Sequence, residues 1–259
     1  MTLWEAFQLR PDDVAALVGG GGKTSLMFAL AKAAPPHYTV ITTTTTKIFV
    51  PSSTESAITL VDSDEAALEG RWLAIRERCR QATLARGLRE DKNKLVGVRP
   101  EFVDRLAQVR AADLMIVEAD GAKGRSLKAP SEGEPVVPSS TSVLVAVVGI
   151  DAIGLPFNEA AVFRAERARE IVGEPPGNVI TEDWAAKLLT HAKGICQGAP
   201  AHARMVFFIN KVENPTRRAL AEKLASHIRT RSSRPIEAVV AGRLHSPAKA
   251  VEEAAWLRW

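Results

Sequence analysis

Short, almost uninterrupted apolar runs recur along the chain and alternate with longer amphipathic or charged stretches. Asp13–Val18, Tyr38–Ile41, Ala57–Val61, Leu114–Val117, Ser142–Val148, Met205–Ile209 and Ile236–Ala241 have the length and apolar character of strands buried on both faces. Between them, Thr24–Lys32, Asp64 to about Arg89, Pro100–Arg110, about Ala160–Val172, Glu182–Lys193 and Thr216–Arg229 read as helices. Pro100–Arg110 places Phe102, Val103, Leu106 and Val109 on one face. Glu182–Lys193 has Thr181 as N-cap, acids in its first turn and Gly194 beyond its end. Such alternation predicts an α/β fold, a mostly parallel sheet flanked by helices. No repeat or low-complexity linker divides the chain, so a single domain over residues 1–259 is expected.

Between the first strand and the first helix lies Gly19-Gly20-Gly21-Gly22-Lys23-Thr24-Ser25. Glycines let backbone N–H groups approach phosphate oxygens with no Cβ in the way, a lysine there neutralises the β/γ-phosphates, and a threonine hydroxyl reaches Mg²⁺. Strand before and helix after are the setting of a P-loop, and the helix N-terminus adds its positive dipole end. The regular spacing wants glycine five residues before Gly22, where this chain has Leu17. With that motif the fold expectation becomes the P-loop NTPase type, with ATP or GTP bound at the carboxyl edge of the sheet.

Other strand ends deliver polar groups to the same edge. Leu114–Val117 leads into Glu118 and Asp120, which strand periodicity puts on one side. In a P-loop protein an acid there holds Mg²⁺ and a second orients the attacking group, so Thr24 and Asp120 are expected at the metal and Glu118 at the water. Met205–Ile209 leads into Asn210-Lys211-Val212-Glu213, the N-K-x-acid arrangement that reads guanine in GTPases, with Glu213 in place of the usual Asp. Thr44, Thr45 and Lys47 either continue a plain strand end or reach metal and phosphate. The loop carrying Arg125, Lys128 and Glu134 either presents solvated cations or holds a second substrate.

Composition narrows the class. The 259 residues are 46% hydrophobic, enough for a sizeable core, and a net charge of +4 suits anionic ligands without calling for nucleic acid. Basic residues concentrate within Arg71–Arg110, where a solvated helical face accounts for them. Cys79 and Cys196 lie far apart, outside any metal-binding spacing, and read as free thiols. Met1–Pro11 lacks a signal-peptide pattern and Val143–Ile150 is too short to cross a bilayer, so a cytoplasmic protein with no membrane partner is expected.

Over most of its length the chain resembles the selenium-dependent hydroxylase accessory proteins, the YqeC family. The resemblance rests on Leu17–Leu26, Thr43–Ile48, Val117–Ala122, Leu127–Pro130, Glu134–Pro138, Val148–Gly154 and Asn210-Lys211. Two positions depart from it: Gly133 precedes Glu134-Pro135, and Phe163 precedes Arg164, where the family often has His. The resemblance implies a role in maturing a molybdenum hydroxylase or its cofactor. Together with the motifs it points to Mg²⁺-dependent hydrolysis of a nucleoside triphosphate. A small-molecule kinase and a non-hydrolysing, partner-binding switch are the alternatives.

Overall fold

The computed structural model of the chain describes residues 1–244 and 257–258. The expected domain span also includes residues 245–256 and 259, which lie outside the described residues.

The apolar runs become strands β1 (Asp13–Gly19), β2 (Val40–Thr44), β3 (Thr59–Val61), β5 (Leu114–Glu118), β6 (Val143–Gly149), β7 (Arg204–Asn210) and β8 (Ile236–Ala241), and β4 (Gln81–Ala85) joins them from a stretch expected to be helical. They pair in parallel in the order β8-β7-β6-β1-β5-β2-β4-β3, and the short strand Leu257–Arg258 adds antiparallel to β8. The helices are α1 (Leu3–Ala6), α2 (Lys23–Ala33), α3 (Glu65–Ile75), α4 (Pro100–Gln108), α5 (Ala165–Val172), α6 (Glu182–Thr190) and α7 (Pro215–Arg231). The α/β architecture with a mostly parallel sheet flanked by helices is as the sequence predicts.

Every residue of β1 is buried because both of its faces are covered. Ala15 and Leu17 join Leu26, Met27 and Leu30 of α2 on one face. Ala16 and Val18 join Trp184 and Leu188 of α6 and Leu224 and Ile228 of α7 on the other. A third cluster packs Trp72 of α3 and Phe102, Val103 and Leu106 of α4 against Ile41, Leu84 and Met115. Trp72 keeps its indole N–H satisfied inside that cluster by donating to Ala111 O at 2.9 Å.

Several expectations need correction. The helix expected from Asp64 to about Arg89 stops at Ile75, and Gln81–Ala85 is an interior strand between β2 and β3. Five residues of mixed propensity carry no period of their own, and pairing with β2 decides their state. Beyond it, Gly87–Arg89 and Lys94–Val96 form a small antiparallel sheet with Lys47–Phe49. α4 ends at Gln108 and Arg110 turns left-handed (φ 47°), which leaves Val109 46% exposed instead of on the buried face. The helix expected from about Ala160 begins at Ala165, because Val162–Phe163 pairs with Leu127–Lys128 first and Arg164 is left-handed (φ 61°). α6 ends at Thr190, with Thr181 accepting from the N–H of Trp184 as its cap. Cys79 and Cys196 are both free thiols. Among the described residues no helix is long and apolar enough to cross a membrane.

Candidate functional site

β1 ends at Gly19 and α2 begins at Lys23, so the glycine run fills the whole connection. Its residues are held where side chains do not fit. A Cβ on Gly20 would sit 2.5 Å from Arg125 O, and one on Gly21, whose φ is +85°, would sit 2.4 Å from Gly149 N. The N–H of Gly20 donates to Val147 O and that of Gly21 to Arg125 O, both at 2.9 Å, which fixes the loop against its neighbours. Gly22 is the N-cap of α2 with no side chain bonding the first turn. The opening N–H groups of that helix therefore receive no side-chain cap, the arrangement in which a helix start can take an anion. Leu17, which breaks the regular motif, is buried in β1 opposite Glu118 of β5. The loop is shorter than the regular spacing because the strand continues through the position where glycine is expected.

Lys23 turns inward. Its Nζ donates to Gly19 O at 2.6 Å and lies 3.1 Å from Asp120 Oδ1 and 3.8 Å from Glu118 Oε1. Burial opposes the charge of Lys23, but the Asp120 and Glu118 carboxylates outweigh it and hold its pKa above the ordinary lysine range. The two acids divide the remaining contacts. Glu118 Oε2 accepts from the Thr24 hydroxyl at 2.6 Å, and burial pushes its carboxyl up despite Lys23 and Thr24. Asp120 accepts from Gly19 N at 3.0 and 3.2 Å and is ion-paired with a second lysine, Lys128, at 3.0 Å. The structure thus brings Glu118, not Asp120, into contact with Thr24, while Asp120 has both oxygens taken by cations and an N–H. Ser25 lies exposed in the first turn of α2.

The remaining candidates separate. The Thr44 hydroxyl is buried and donates to Glu118 O at 2.7 Å, Thr45 donates to Val136 O at 2.7 Å, and Lys47 is exposed on its short strand. Their hydroxyls serve the backbone around the acids. Arg125 donates to Glu159 O and Lys123 O. Lys128 is fully buried and pairs with Glu134 at 2.6 Å, and Arg164 grips the same carboxylate at 2.6 and 3.1 Å. Burial would raise the Glu134 carboxyl, but the bonds from Arg164 and Lys128 outweigh it and bring the pKa down to about 2. Gly133 is exposed beside it. Phe163 has the Arg164 guanidinium 4.5 Å and the Lys123 ammonium 5.1 Å from its ring centre.

At the other end of the glycine loop, Asn210 Nδ2 donates to Gly21 O at 2.7 Å, and Asn210 Oδ1 accepts from Leu244 N at 3.2 Å. Asn210 therefore ties the loop to the turn that follows β8. Lys211, left-handed at φ 65°, donates to Ser126 Oγ at 2.7 Å and Asp151 Oδ2 at 2.8 Å. Glu213 is exposed and paired with Arg217 at 2.5 Å, one helical turn on. Sequence reasoning missed Ser126, Asp151 and Arg164. Asp151 had a signal, an acid just past a buried strand at the same edge, as Asp120 is. Arg164 was marked only by the resemblance at Phe163-Arg164, which did not point to its partner thirty residues back along the chain.

Fold and site together define an α/β protein in which a glycine loop and the start of a helix meet a buried acid pair at the carboxyl edge of a parallel sheet. A family model described as YqeC protein matches residues 15–166, and the chain belongs to that family. The matched stretch carries Lys23, Thr24, Glu118, Asp120, Lys128, Glu134 and Arg164, whereas Asn210–Glu213 lie beyond it. The chain is also similar to the uncharacterized protein YqeC of Escherichia coli (strain K12), 33% identical over 121 residues. That alignment covers 47% of this chain and 47% of the relative, so the match spans about half of each.

Proposed function

We propose that this protein binds a nucleoside triphosphate, ATP or GTP, with Mg²⁺ at the glycine loop and hydrolyses it. The observation that supports this best is the pairing of an uncapped helix start behind four glycines with a lysine and a threonine that both meet the carboxylate ending the adjacent strand. The donor set suits Mg²⁺, which takes one or two protein oxygens and fills its remaining positions with water and phosphate oxygens. Here the Thr24 hydroxyl and Glu118 carboxylate, 2.6 Å apart, are those oxygens. When bound, the metal supplies neutralisation of developing phosphate charge. The chain's own part is electrostatic: N–H groups of the α2 N-terminus and the Lys23 ammonium would hold phosphate charge. Asn210, fixed to both Gly21 and Leu244, positions the loop relative to the edge where the base would lie.

The resemblance to accessory proteins of selenium-dependent molybdenum hydroxylases makes such an enzyme, or its cofactor, the client to test, with action in the cytoplasm. The test is phosphate release by the purified protein against Mg²⁺ concentration, with and without a molybdenum hydroxylase, for wild type and Glu118→Gln. Gln keeps the bond to Thr24 and loses the charge, so turnover should fall by about 100-fold or more and the Mg²⁺ requirement should rise. Coincident curves would remove Glu118 from the metal and with it the hydrolytic reading.

A further inference from the structure

The charged groups around Asp120 alternate in sign: Arg164, Glu134, Lys128, Asp120, Lys23. Lys128 and Asp120 are both wholly buried, 3.0 Å apart. Besides this ion pair, Lys128 donates to Gly121 O at 2.9 Å and to Glu134 Oε2 at 2.6 Å. On the other side Lys23 approaches Asp120 at 3.1 Å while it donates to Gly19 O.

Lys23 is itself nearly wholly buried, so turning its Nζ to a phosphate draws it away from Asp120, and that movement weakens the pairing of a carboxylate that water does not reach. Leaving such a carboxylate without a cation is strongly unfavourable. Lys128 stands where it prevents this, and it is itself held in place by Glu134, which Arg164 grips from the surface side.

We propose that Lys128 is the positioning residue that keeps Asp120 paired when Lys23 turns to a triphosphate, and that Asp120 is the shared counter-ion of the two lysines. The inference rests on the nucleotide reading above and goes beyond it by assigning Asp120 away from the metal. Lys128 does not touch the nucleotide. It makes the movement of Lys23 affordable, and it is needed only because residue 120 is charged.

The test is calorimetric titration of Mg²⁺ with ATP, and separately with GTP, into wild type, Lys128→Met, Asp120→Asn and the double variant, with melts of each protein alone. Lys128→Met should bind about tenfold or more weakly than wild type, because Lys23 then stays on Asp120. Asp120→Asn should bind within about threefold of wild type, and the double variant within about threefold of Asp120→Asn, since a neutral residue needs no counter-ion. Lys128 in a merely structural role would lower the melting temperature in both backgrounds and leave the affinity of the folded protein alone. Where Lys128→Met does not fold, Asp120→Asn decides: a large loss of affinity or a raised Mg²⁺ requirement overturns the proposal. Unchanged affinity in a folded Lys128→Met overturns it while the nucleotide reading stands. Absence of nucleotide binding by wild type overturns both.

Discussion

At the scale of single residues, the site is a set of charges that burial makes costly and mutual pairing makes tolerable. Lys23, Lys128, Glu118 and Asp120 are all nearly or wholly inaccessible. Each would be strongly destabilising alone. Glu134, at the rim, is the member whose ionisation can be followed. Its pKa lies at about 2 when folded, against 4.5 for a free glutamate. The folded state therefore favours the carboxylate. The resulting stability is fully present above about pH 4.5 and is lost as pH falls through the folded value of about 2. Thermal melts of wild type and Glu134→Gln across that window should show wild type more stable above pH 4.5, with the gap narrowing toward pH 2. A gap that does not change with pH would show that Glu134 contributes through packing only.

At the scale of elements, the decisive piece is the connection from β1 to α2. Gly21→Ala puts a Cβ against the backbone N of Gly149 at a residue whose φ is +85°. It should cost roughly 2 kcal/mol or more in urea unfolding, from left-handed strain and a clash with backbone that cannot step aside. A loss below about 0.5 kcal/mol would mean that the loop relaxes freely and is not a fixed cradle. This element was legible in the sequence because composition, not packing, defines it: no other residue type substitutes for glycine there. The strands of the sheet interior were legible for a similar reason. Burial on both faces forces runs such as Val143–Val148 and Met205–Ile209 to be apolar throughout. β4 was not legible, since Gln81–Ala85 is short, mixed and extended only because β2 and β3 flank it. The start of α5 was hidden likewise, because the pairing of Val162–Phe163 with Leu127–Lys128 lies far off in sequence. Among site residues, Lys23, Thr24, Glu118 and Asp120 could be named from strand ends and spacing. How the two acids divide their contacts could not be. That depends on Lys128, which the sequence leaves as either a solvated loop cation or a substrate-holding one and which the fold buries.

At the scale of the whole molecule, the sheet order places β1 at its centre, between β6 and β5, so the glycine loop emerges with strand ends on both sides. Acids arrive from β5, and Asn210 and Lys211 arrive from β7 two places away. The loop carrying Arg125 and Ser126 closes over the gap through bonds to Gly21 and Lys211. Parallel topology brings these segments to one edge, where open α/β sheets bind ligands. On the proposed function, this edge takes a nucleoside triphosphate through Lys23. The most direct measurement is calorimetric titration of ATP and of GTP, each with Mg²⁺, into wild type and Lys23→Ala, with circular dichroism melts of both. The expected result is saturable binding of at least one triphosphate by wild type and its loss in a Lys23→Ala protein that still unfolds cooperatively. Equal binding by the two folded proteins, or none by wild type, would contradict it.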